Sequence, residues 1–260
     1  TVTVTDTPNT TTLTLNDVSV NEGTGTATVG GRLDYAPQTT LVVTLSNGST
    51  ITFGPDYVAE TIVQSTPCTI QTDDVYKDGE TYEITVASTT GGNFENLVTT
   101  DKATVTVTDT KDTTTLTLND VSVNEGTGTA TVGGSLDYAP QTTLVVTLSN
   151  GATITFGPNY VVGTVVQSTP FVIQTDDVYK DGETYTLTVA STIGGNFENL
   201  VTTDTAKVTI SDTTDTIIIK IFVSDENGMP LKDTNGNYLT TNSVTEGGKT
   251  HYVALAFKPN

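Results

Sequence analysis

Four residue types are scarce in this chain of 260 residues: one cysteine, one histidine, one methionine and no tryptophan. A single cysteine closes no internal disulfide. Cys68 is replaced by Phe171 in a second copy of the same segment, which marks the position as buried and apolar rather than reactive. His251 stands alone near the C-terminal end and reads as a surface or satisfied histidine. Nucleophilic chemistry of the Ser-His or Cys-His kind therefore lacks its parts over most of the chain, and zinc lacks the ligands it prefers. Bases are scarce too: ten Lys and Arg against thirty Asp and Glu, a formal net charge of −20. Phosphate recognition needs clustered cations, so nucleic acid is not an expected partner, and anionic membrane surfaces are disfavoured likewise. No apolar run approaches the length of a bilayer span, which argues against membrane insertion.

Repetition is what the chain has in abundance. Residues Thr10–Gly31 recur letter for letter at Thr113–Gly134, a spacing of 103. Aligning residues 7–109 with 110–212 leaves 17 differences, so 103 − 17 = 86 positions are the same. A catalyst needs one good site, whereas near-identical copies in series suit length, spacing or multivalent binding. The expected organisation is the end of a preceding repeat and a linker over 1–9, one repeat over 10–112, a second over 113–215, and the start of a divergent third β module over 216–260. The chain is accordingly expected to be a segment of a longer array.

Thr, Val, Ile and Leu alternate with period two in runs such as Leu13–Leu15, Thr26–Val29, Ile84–Val86 and Thr104–Val107, with Gly, Asn, Asp and Pro between them. No window has helical spacing of apolar residues. Each repeat is therefore expected to be an all-β sandwich of about seven strands. In the first repeat these fall at roughly 11–20, 25–34, 39–46, 49–54 with 57–64, 67–72, 80–88 and 101–108. Asn47-Gly48 and Asn150-Gly151 predict type I′ hairpin turns. The Thr-rich faces read as solvated strand faces.

In a Greek-key sandwich the first interstrand loop, the loop before the sixth strand and the end of the last strand share one pole. Glu22, the run Asp73–Glu80, and Asp109 occupy those three places. Glu22, Asp73, Asp74, Asp78 and Asp109 should therefore gather, as should Glu125, Asp176, Asp177, Asp181 and Asp212. Clustered carboxylates repel unless a cation joins them, and only Lys77 and Lys180 are near in sequence. Hard oxygen donors on loops suit Ca²⁺, which takes about six to eight of them. The plain alternative is turn-favouring Asp in solvated loops.

Glu22–Val29, Asp73–Tyr82 and Thr104–Asp109, in that order, resemble the Calx-beta pattern. Leu45–Ile51, Asp73–Tyr76, Gly91–Leu97 and Val107–Thr110 resemble, more closely still, the extender repeats of giant RTX-type bacterial adhesins. The resemblance covers both full repeats. It implies tandem immunoglobulin-like Greek-key β-sandwiches in an elongated array, secreted by a bacterium through a type I system and held at the cell surface. Ca²⁺ at the joints would stiffen such a rod, with the adhesive target carried by other regions. Carried over by position, the ligands would be Glu22, Asp73, Asp74, Asp78 and Asp109 with the matching set in the second repeat. Asp112 and Asp215, just beyond, complete the candidates, and one ion per joint is expected rather than two. The implied partners are the neighbouring repeats of the same chain, and the protein is expected to be monomeric.

The loop Gly91–Leu97 lies at the opposite pole and faces the preceding repeat. In the second repeat Asn196 or Glu198 could complete the joint around Asp109, or Phe197, like Phe94, could simply plug it. In the tail, Thr216–Asp225 reads as a strand and Asp225–Asn242 as an insert. Ser243–Gly247 echoes Ser19–Gly23, while Asp233–Asn237 imitates the start of a Ca²⁺ loop without its distal Glu and reads as a hairpin turn. A carboxylate pair could serve a glycosidase, but no tryptophan platform accompanies it, so no enzyme is expected. A carbohydrate- or protein-binding module is the alternative reading, on fold analogy.

Overall fold

The computed structural model describes residues 1–3, 5, 7–241 and 248–257, and the echo at Ser243–Gly247 lies outside them. The chain is all-β, as its alternation predicts. The strands of the first repeat are β1 (Thr10–Asn16), β2 (Val18–Asn21), β3 (Thr26–Ala27), β4 (Gly30–Leu33), β5 (Leu41–Leu45) and β6 (Thr50–Phe53), followed by β7 (Val63–Gln64), β8 (Cys68–Thr69), β9 (Thr81–Gly91), β10 (Asn96–Val98) and β11 (Lys102–Thr108). One sheet runs β10-β1-β4-β7 and the facing sheet β2-β11-β9-β5-β6, with β3 and β8 forming a short ribbon. Leu13, Leu33, Leu41, Val43, Ile51, Phe53 and Val105 close the core between them, while the intervening Thr residues face outward.

The second repeat repeats the plan with β12 (Thr113–Leu118), β13 (Val121–Asn124), β14 (Thr129–Ala130), β15 (Gly133–Leu136), β16 (Leu144–Leu148) and β17 (Thr153–Phe156), then β18 (Val166–Gln167), β19 (Phe171–Val172), β20 (Thr184–Leu187), β21 (Val189–Ile193), β22 (Asn199–Val201) and β23 (Ala206–Ser211). Together β20 and β21 are the counterpart of β9. The tail adds the antiparallel pair β24 (Ile218–Ser224) and β25 (His251–Phe257), with His251 exposed.

Four details differ from the sequence expectation. The first strand is two: β1 pairs with β4, then the chain crosses sheets and β2 runs parallel to β11. Asp17 makes the crossing, its carboxylate accepting the Thr104 amide at 2.7 Å. A short parallel strand, β10, edges β1. The hairpin turns are not type I′, because of their two central residues only Gly48 and Gly151 have positive φ. Each turn closes through a Leu carbonyl (Gly48 N–H to Leu45 O, 2.9 Å) followed by a wider pair (Leu45 N–H to Ser49 O, 2.8 Å), a three-residue loop with a glycine bulge. Finally, Cys68 is half-buried rather than buried: β3 and β8 are a marginal ribbon, and its thiol reaches the Ala27 carbonyl at 3.4 Å.

The sheets bring three segments to one pole. The Glu22 amide donates to Thr108 O at 3.0 Å, Gly23 to Gln71 O at 3.3 Å, and Glu80 to Val107 O at 3.0 Å. At the other pole Gln38 donates to Gly92 O at 3.0 Å. Gly91 has φ of +86°, and a Cβ there would lie 2.0 Å from the Thr40 carbonyl oxygen, so only glycine makes this corner.

Candidate functional site

Glu22 is the anchor of the acidic pole. Its backbone is held to the end of β11, and the carboxylate turns inward until only 2% of the residue is exposed. One oxygen, Oε1, accepts the Thr110 amide at 2.9 Å. The other, Oε2, is buried without a hydrogen-bond partner. Carboxylate oxygens of Glu22, Asp78 and Asp109 lie within 4.8 Å of one another. Asp109 Oδ1 also accepts the Asp78 amide at 3.3 Å, which ties the loop to the linker. The second repeat builds the same triad from Glu125, Asp181 and Asp212. There Glu125 is 3% exposed, accepts the Thr213 amide at 2.9 Å, and again keeps Oε2 buried without a partner.

A buried carboxylate oxygen without a donor is costly, and three carboxylates in one small space compound the cost. Burial pushes the Glu22 carboxyl up from its ordinary value; the Thr110 amide opposes that, while Glu198 and Asp109 add to it. Glu198 belongs to the second repeat. Its Oε2 accepts the Asp112 amide, and its Oε1 is another buried oxygen with no partner. The donor set is all oxygen, drawn from two loops, a linker and the next repeat. Such a set can hold a hard divalent cation and offers nothing for thiolate- or imidazole-seeking metals.

Residues 9–110 and 112–213 each match the LapA domain. The chain belongs to the LapA domain family. This is a structural, non-catalytic family of repeats from giant RTX-type biofilm adhesins. No curated protein matches the chain in sequence. Among solved structures, the CBD12 structure of CALX1.2 is 12% identical with a TM-score of 0.30, covering 76% of this chain and 99% of that one. The tetra-tandem repeat from the extending region of a large adhesion protein is 17% identical, TM-score 0.30, covering 95% and 65%. The I9–I11 tandem of titin is 15% identical, TM-score 0.20, covering 94% and 87%. Scores of this size carry no argument by themselves.

The remaining sequence candidates of the LapA repeats sit around the triads. Asp73 and Asp176 each accept a linker hydroxyl, from Thr110 and Thr213. Asp74 and Asp177 turn back on their own loops, accepting the amides of Tyr76 (2.8 Å) and Tyr179 (2.7 Å). Asp112 meets Glu198 through its backbone, and Asp215 lies beside Val178–Lys180 at the far pole of the second repeat. Asp233 closes a hairpin turn, its carboxylate accepting the Asn235 and Asn237 amides at 2.8 and 2.9 Å.

Sequence reasoning missed Val75 and Tyr76. Both project from the acidic loop of the first repeat into the second. Val75, 6% exposed, joins the second repeat's hydrophobic core rather than its own. Tyr76 stacks on Phe197 at 5.8 Å between ring centroids, and its hydroxyl donates to the Ala139 carbonyl at 2.6 Å. The backbones pair around them, Lys77 N–H to Asn196 O and Glu198 N–H to Val75 O, both 3.0 Å. An apolar pair in the middle of the acidic run Asp73–Asp78 was the available signal. Phe197 thus acts as the plug's seat, and Glu198 reaches the acids: both readings of that loop hold at once.

Proposed function

We propose that this chain is part of the extender of a secreted bacterial surface adhesin, in which Ca²⁺ at each inter-repeat joint stiffens the array and holds an adhesive region away from the cell. The units of that rod are residues 10–112 and 113–215, and a divergent third β module starts at 216. The observation that carries the reading is the Glu22 carboxylate: buried, half unsatisfied, and facing Asp78, Asp109 and the next repeat's Glu198. A Ca²⁺ ion would satisfy those oxygens together, and in doing so would tie the loop, the linker and the following repeat into one block. Asp73 and Asp176 stand close enough to the linker to support the ligands; Asp74, Asp177, Asp112 and Asp215 are better assigned to shaping the loops around them. At extracellular Ca²⁺ the bound state is also the more stable one, so a chain exported unfolded would gain its rigidity on arrival.

Small-angle scattering and thermal melting in Ca²⁺ and then in EGTA test this. Removing the ion is expected to shorten the maximum dimension and lower the melting temperature. Unchanged values of both would refute the proposal.

A further inference from the structure

The acidic loop of the second repeat carries the same plug as the first, Asp176–Asp181 repeating Asp73–Asp78 letter for letter. Its apolar pair is not seated. Val178 is 36% exposed and Tyr179 71% exposed, although the tail follows directly in sequence. The first repeat, in turn, carries the same seat as the second, with Ala36, Asn93 and Phe94 in the places of Ala139, Asn196 and Phe197. Phe94 is half-buried where Phe197 is buried, and Ala36 and Asn93 are exposed.

This empty seat already has its final shape. Asn93 and Asn196 have φ of 53° and 60°, Gly92 and Gly195 of 82° and 89°. Asn93 Nδ2 donates to Gln38 Oε1 at 2.5 Å, as Asn196 does to Gln141 at 2.6 Å. Little would have to reorganise on docking, so the usual cost of ordering an interface is small.

We infer that Val178–Tyr179 is a docking plug for a second copy of this chain, seated in the Ala36–Asn93–Phe94 socket of that copy in the contact that Val75–Tyr76 makes within the chain. The occupant is specified by the internal joint: the same residues, on the same backbone, already recognise each other there. Tyr179 would stack on Phe94 and donate to the Ala36 carbonyl, and Lys180 would pair its amide with Asn93 O. The result is head-to-tail association, a heterologous contact that propagates rather than closes. This goes beyond the monomer expected from the sequence and does not require the Ca²⁺ reading. Within the chain the linker keeps plug and seat at an effective concentration of about 1 mM, so between chains the contact should be weak, with a dissociation constant of about 0.1–1 mM. The Glu95 carboxylate would arrive beside Glu125, Asp181 and Asp212, so divalent cation should strengthen it by lifting that repulsion.

Sedimentation velocity of the whole chain over concentrations up to about 1 mM, in Ca²⁺ and in EGTA, tests the inference. Wild type should show monomer passing to dimer and longer species as concentration rises. Tyr179→Ala removes the plug and Ala36→Glu blocks the seat; both alter exposed residues, so each should melt as wild type does and stay monomeric. Mixing the two variants should restore a dimer and nothing longer, since each supplies the one surface the other lacks. A wild-type chain that stays monomeric in both buffers overturns the inference, and so does association undiminished in Tyr179→Ala. Association that is equal in Ca²⁺ and EGTA would support the docking while counting against a cation at the second pole.

Discussion

The joint between the two LapA repeats and the far pole of the second repeat are written in almost the same residues, yet they are in different states. At the joint Val75 lies in the next repeat's core and Tyr76 is stacked and hydrogen-bonded; at the far pole Val178 and Tyr179 face solvent. At the joint Glu198 leans a fourth carboxylate toward Glu22; the far triad of Glu125, Asp181 and Asp212 has the tail after it instead of a LapA repeat. The acids within each triad are set by the repeat's own backbone, because Glu22 and Glu125 are buried alike with or without a seated plug. What the neighbour adds is a dry contact and a trans carboxylate. A joint is therefore half built by each repeat alone and finished by the next.

The dry contact should give the largest difference between the two poles. Tyr76→Ala removes a stacked ring and a hydrogen bond from a largely buried position and is expected to cost about 2–4 kcal/mol of coupling between the repeats. Tyr179→Ala at the exposed pole should stay within about 0.5 kcal/mol. Calorimetry reads this as a melting transition that broadens or splits in the first variant only. Equal effects would mean that the plug contributes nothing beyond its own loop.

Next in size is the difference in cation affinity. Calcium titration should resolve two sites, the joint binding more tightly than the far pole. Glu22→Gln should weaken the joint site at least about tenfold, or roughly 1.4 kcal/mol, and leave the far site alone, with Glu125→Gln doing the reverse. Glu198→Gln should weaken the joint site by a smaller factor, with no effect at the far pole. If Glu198→Gln left both sites untouched, the trans carboxylate would be an onlooker.

Much of this was legible before any coordinates. Alternation placed the sandwich strands, and their directions placed Glu22, Asp78 and Asp109 at one pole. The finer partition was not legible, because it depends on where a short side chain can reach. Asp74 and Asp78 are both exposed-loop acids in sequence, yet Asp74 is two residues before Tyr76 and satisfies that amide, while Asp78 sits beside the end of β11. Asp17 looked like a strand interruption of no consequence, but its bond to Thr104 carries the chain from one sheet to the other. Val75 and Tyr76 were hidden for a different reason: their partners are in another repeat, 119 to 122 residues away in sequence, and periodicity describes a repeat rather than its neighbour.

The smallest expected effect separates the poles by pH. Burial raises the Glu22 carboxyl above its ordinary value, and Glu198 and Asp109 raise it further. The folded joint thus holds a proton more tightly than the unfolded chain does, so the metal-free protein loses stability as pH rises through the interval between the ordinary and the raised value. Acidifying metal-free protein from about pH 7 toward pH 5 should raise the melting temperature for this reason. Relief of the overall negative charge acts in the same direction, so the slope itself is not diagnostic. The comparison is: Glu22→Gln removes the titrating group and should flatten the profile, and Glu198→Gln, which removes one source of the upward shift, should move the sensitive interval to lower pH. Saturating Ca²⁺ should abolish the difference among the three proteins near neutral pH only if the ion still binds each variant, which the calcium titration decides independently. Parallel melting profiles for wild type and both variants without metal would show that the Glu22 proton is not linked to folding of the joint.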